Sequence, residues 1–69
     1  MSKPMINGDH TFRATEAFDG MIRGNAIVKT GANIDFSGMV GGDLIIERGA
    51  TVKLSGMVGG QIVNEGKLL

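Results

Sequence analysis

His10 is the one imidazole in a 69-residue chain that has no cysteine, and imidazole is the side chain best suited to proton transfer near neutral pH. Acid–base catalysis also needs a nucleophile or an oriented partner in a defined setting, and none accompanies His10. The neighbouring carboxylates, Asp9 among them, lack ligand spacing, so no metal site is expected. Glu47 and Glu65 stand eighteen residues apart and read as solvated surface groups. Gly41-Gly42 and Gly59-Gly60 invite comparison with phosphate-cradling loops, but no helix follows either pair and no lysine sits at P-loop spacing. Corners explain these glycines better. Thr11, Thr15, Thr30 and Thr51 form no row of the kind that orders ice. The side chains therefore predict a protein that is not an enzyme and has no cofactor.

Composition narrows the remaining classes. Seven basic residues balance seven acidic ones, which removes the electrostatic footprint of a nucleic-acid or anionic-membrane binder. No apolar run approaches the roughly 20 residues of a transmembrane segment, and a cytoplasmic location is expected. A globule this short buries only about 60% of its unfolded surface, so it needs a staple. Without cysteine or a metal cluster, the staples left are repetition and self-association.

Repetition is present. SGMVGG occupies residues 37–42 and again 55–60. Shifting the chain by eighteen lays Gly24-Asn25-Ala26-Ile27-Val28 on Gly42-Asp43-Leu44-Ile45-Ile46 and then on Gly60-Gln61-Ile62-Val63-Asn64. Within each unit runs a beat of six: Ile22, Val28, Ile34, Val40, Ile46, Val52 and Val58, lapsing at Asn64. Gly or Ala usually stands two residues earlier, as at Gly20, Ala26, Ala32, Gly38, Ala50 and Gly56. Six residues advance an α-helix by about 600°, which would scatter the aliphatic side chains around its surface. In a strand, residues two apart share a face, so the small residue and the aliphatic one both point inward.

Three short strands per unit, joined by corners, predict an all-β protein: a parallel β-helix, or triangular β-solenoid, of about three 18-residue coils. Residues 16–69 form the repeat domain and residues 1–15 an N-terminal tail or cap, with Phe12 placed to cover the end of the core. The charges agree with the stacking, since Lys29 falls on Glu47 and Asp35 on Lys53. Asn25, Asp43 and Gln61 form a polar column, an amide ladder or, the preferred reading, a solvated corner.

The run from Gly38 to Gly60, with its Gly-Met-Val-Gly-Gly-Asp-Leu phrase ahead of Gly49-Ala50-Thr51-Val52, resembles bactofilins, the bacterial polymer-forming cytoskeletal proteins. The resemblance covers residues 18–64. It implies a right-handed triangular β-helix that assembles end to end into nucleotide-independent filaments, often attached to membrane through an N-terminal tail. The family core has more coils than this repeat supplies, and residues 1–15 contain no evident apolar membrane-binding peptide. The six-residue beat is also similar to that of hexapeptide acyltransferases, whose helix is longer and left-handed.

One outward column reads Met21, Met39, Met57, and another reads Ile27, Ile45, Val63. Apolar stripes on the outside of so small a solenoid imply a covered face. Either the N-terminal segment or another chain supplies the cover. These six residues are the expected protein interface, within a homo-oligomer or toward one different protein as an inhibitor or antitoxin-like module. Phe18, Phe36 and Leu54 form a third column near a corner, its direction open. The far-ultraviolet circular dichroism spectrum is expected to have a β-type minimum, and helical minima would refute the coil.

Overall fold

The computed structural model describes residues 5–69, which form twelve short strands and no helix. The first turn holds β1 (Met5–Ile6), β2 (His10–Phe12) and β3 (Glu16–Phe18). The second holds β4 (Met21–Ile22), β5 (Ala26–Val28) and β6 (Asn33–Phe36). The third holds β7 (Met39–Val40), β8 (Leu44–Ile46) and β9 (Thr51–Leu54), and the fourth β10 (Met57–Val58), β11 (Ile62–Asn64) and β12 (Lys67–Leu68). Successive strands enter successive sheets, giving three parallel four-stranded sheets: β1-β4-β7-β10, β2-β5-β8-β11 and β3-β6-β9-β12. The protein is a β-solenoid.

Register follows the eighteen-residue period through the middle of the stack. Val58 pairs with Val40, Ile45 with Ile27, and Lys53 with Asp35. There are about four turns rather than about three, because the outer turns are shorter than the period that reveals the inner ones. Phe12 pairs with Val28, sixteen residues on, whereas Glu16 pairs with Ile34, eighteen residues on. At the other end Asn64 pairs with Ile46, but Lys67 pairs with Thr51. The inner turns thus carry two extra residues at this one corner, where Gly31 and Gly49 both adopt a φ of 87°. Residues 1–4, the start of the expected tail or cap, lie outside the described residues. Residues 5–12 supply the first two strands of the stack.

The core is a column of aliphatic and small side chains with two phenyl rings at its N-terminal half. Ile22, Ala26, Val28, Ala32, Ile34 and Phe36 are buried in the second turn, and Val40, Leu44, Ile46, Ala50 and Val52 in the third. Bulk is exchanged between positions within a turn. The second turn pairs small Ala26 with large Phe36, and the third places Leu44 and Leu54 at the same two positions. Conserving volume in this way keeps each rung filled without strain. Corners need small residues where rungs approach: a Cβ at Gly38 would run into the carbonyl oxygen of Gly20 directly below. No side-chain nitrogen or oxygen is buried without a hydrogen bond among the described residues.

Phe12 is fully buried, as expected, and Phe36 settles the open direction of the third column by lying inside. The rings of Phe12 and Phe18 meet edge to face at 5.5 Å, and His10 meets Phe12 edge to face at 4.6 Å. His10 occupies the position taken by Ala26 one turn above, so the imidazole closes the N-terminal end of the core. The C-terminal end has no such closure. Leu44 is 0% exposed, whereas Ile62, its register partner one turn later, is 41% exposed. Leu44→Ala is therefore expected to cost about 2–5 kcal/mol and Ile62→Ala clearly less. Urea unfolding at concentrations low enough to keep the chain monomeric checks the contrast.

Candidate functional site: apolar columns and the C-terminal rung

The two-residue strands of the β1-β4-β7-β10 sheet point one residue in and one residue out. Ile22 and Val40 go to the core, and Met21, Met39 and Met57 form the predicted outer column in unbroken register. The structure adds Met5 below Met21. Met21 is half-buried, while Met39 and Met57 are 40% and 66% exposed. All four methionines line a single shallow groove.

Ile27, Ile45 and Val63 form the second predicted column, on the β2-β5-β8-β11 sheet, with Thr11 completing it at the N-terminal end. Ile27 and Ile45 are half-buried and Val63 is exposed. Both columns thus exist as stacks, but on different sheets, and the structure does not bring them together into one patch. Nor do residues 5–12 fold over either stripe: they extend both, because β1 and β2 pair as the next strands of those sheets. The third sheet has a charged outer face, where Asp35 and Lys53 are register partners. Lys29 and Glu47 form the expected ion pair across turns, at 3.3 Å. Both groups keep substantial solvent contact, so the pair contributes at most about 1 kcal/mol.

The polar column is more than a solvated corner. Asp9 Oδ1 accepts the backbone N–H of Asn25 at 2.9 Å, Asn25 Oδ1 accepts that of Asp43 at 2.8 Å, and Asp43 Oδ1 accepts that of Gln61 at 3.0 Å. A return bond closes each step: the backbone N–H of Ala26 donates to the Asp43 carbonyl, and that of Leu44 to the Gln61 carbonyl. Each corner is clamped to the next from both sides. The side-chain oxygen lies under the glycine that precedes the next member, so that a Cβ at Gly42 would stand 2.5 Å from Asn25 Oδ1. This explains why Gly24-Asn25, Gly42-Asp43 and Gly60-Gln61 recur as pairs, whereas Gly8, before Asp9, has open space at its Cβ position and adopts a φ of 109°. The same phrase marks the first turn, where Gly8-Asp9 forms the corner between β1 and β2.

The C-terminal rung is the other distinctive surface. Val58 and Leu68 are only half-buried, and Ile62 and Leu69 are exposed. β10, β11 and β12 each stand at the edge of a sheet. No cluster of three or more His, Cys, Asp or Glu residues is placed to hold a metal ion, and no helix is long and apolar enough to cross a membrane, among the described residues.

Geometry and repeat together define a β-solenoid repeat protein. Comparison with family models, curated proteins and solved structures finds no match for the chain.

Loss of one clamp in the ladder is expected to be local. Asn25→Ala should cost about 0.5–1.5 kcal/mol and speed hydrogen exchange at the Asp43 amide well beyond that of the Ile45 amide. Equal acceleration at both would mean that the clamp does not act as an individual bond.

Proposed function

We propose that the protein is a non-enzymatic, self-assembling β-solenoid that forms oligomers or filaments through its coil edges and its apolar outer faces. The observation that carries this reading is the C-terminal rung. There, side chains at core positions meet solvent beside three sheet edges whose outward backbone groups seek partners. A parallel strand from another copy satisfies both needs at once. The corners support the same conclusion: the first and fourth turns both lack the two-residue insert, so a copy stacked on the C-terminal rung by its first turn meets a corner of matching length. Gln61 stands at the top of the ladder, in the place from which Asn25 and Asp43 each hold the rung above. With the bactofilin-like phrase, these features favour a small polymer-forming protein of the bacterial cytoplasm.

A binding module for one different protein, inhibitor or antitoxin-like, is the second reading. It is favoured by the methionine column, because flexible thioether side chains on a rigid scaffold adapt to an uneven surface.

Light scattering coupled to size exclusion tests the first reading. The wild-type mass is expected to rise with concentration, Ile62→Lys to abolish that rise by charging the terminal rung, and Met39→Asp to remove lateral association with the coil retained. A wild-type protein that stays monomeric at millimolar concentration would overturn self-assembly.

A further inference from the structure

The methionine column has a chemistry that an aliphatic column lacks. Thioether sulfur is a soft, neutral donor that selects Cu(I) and similar ions over Mg²⁺ or Ca²⁺. Met5, Met21, Met39 and Met57 are register partners in sequence order, so their backbones are separated by one parallel strand spacing, about 4.8 Å. Taking the zinc–thiolate length of about 2.3 Å as the scale of a metal–sulfur bond, two sulfurs on opposite sides of one ion stand about 4.6 Å apart. Neighbouring rungs therefore set the methionine backbones at nearly the separation that the two sulfurs of a two-coordinate soft ion require. Three rotatable side-chain bonds supply the small remaining adjustment. All four methionines line one open groove together with Asp19, whose carboxylate offsets the charge of a bound cation.

We infer that this column is a binding site for soft monovalent cations, Cu(I) and its analogue Ag(I), held between methionines on adjacent rungs. Met21 and Met39 form the central pair, and the column accommodates about two ions, one for each disjoint pair of neighbours. Fixed spacing is the scaffold's contribution. A flexible peptide must be ordered to bring two methionines together, whereas here the stack has already done so. The inference is independent of self-assembly, because it needs only one folded copy.

Two double variants with the same number of methionines separate pairing from mere content. Met5→Leu/Met57→Leu keeps the central neighbours, and Met21→Leu/Met39→Leu leaves only methionines without a neighbour. Leucine preserves the volume and apolar character of the column, so assembly through this face persists in both. Calorimetric titration with silver nitrate in chloride-free buffer is expected to give about two ions per wild-type chain and about one for the first variant. For the second, affinity should fall by about tenfold or more. Equal binding by the two variants would overturn the inference. Carbon-13 methyl spectra of the wild type provide a readout independent of variant folding: Ag(I) is expected to shift the Met21 and Met39 methyl resonances together, and no shift at either overturns the site.

Discussion

In-register parallel pairing between one turn and the next is the constraint on which the rest of the structure depends. Each strand hydrogen-bonds to its counterpart in the adjacent turn, so side chains accumulate in columns rather than in a scattered surface. Whatever property a position has is repeated at one strand spacing. An apolar column becomes a stripe, a glycine column becomes a corner, and an Asx column becomes a ladder. The same constraint disfavours like charges in one column, because charges held about 4.8 Å apart repel, and Glu65 next after Glu47 is the unfavourable case. Lys29 with Glu47 and Asp35 with Lys53 show opposite charges sharing a column.

The inner turns were legible in the sequence because the period holds there. Ile22, Val40 and Val58, or Ile27, Ile45 and Val63, can be aligned by a fixed shift, and the structure makes them register partners. The first turn was not legible by that route: its corner omits two residues, and a search at constant period loses Phe12 although it pairs with Val28. The ladder was missed for a different reason. Asn25, Asp43 and Gln61 differ in charge and length, so they resemble a variable surface, yet Asp9, Asn25 and Asp43 each place a carbonyl or carboxylate oxygen at the same point of the rung. The glycine before each residue recorded that requirement more faithfully than the polar residue itself. The Phe18, Phe36 and Leu54 column points inward by strand alternation, since Phe36 follows buried Ile34 by two residues within β6 and Leu54 follows buried Val52 by two within β9. The sequence leaves its direction open because the repeat alone does not say how far those strands run before the corner.

The two ends of the stack solve the same problem differently. At the N-terminal end His10, Phe12 and Phe18 fill the first rung with rings that meet edge to face. Such rings carry a large apolar surface in rigid side chains. At the C-terminal end Ile62 stands in the column of His10, and Asn64 stands where Ile46 and Val28 stand below it. The ends are thus chemically unlike.

Burial is concentrated in the middle of the stack. The fully buried hydrophobic residues come from the second and third turns, with Phe12 alone from the first and none from the fourth. In a solenoid, stability accumulates as interfaces between neighbouring turns, and a terminal turn adds one interface while paying the ordering entropy of a whole turn. With only two interior turns, the end penalty falls on about half the molecule. Covering Val58, Ile62 and Leu68 with a further rung adds apolar burial at roughly 25 cal/mol per Å² and pairs three strand edges, with no new fold to be made. The physics that sets the register inside the chain therefore also favours continuing the stack beyond it.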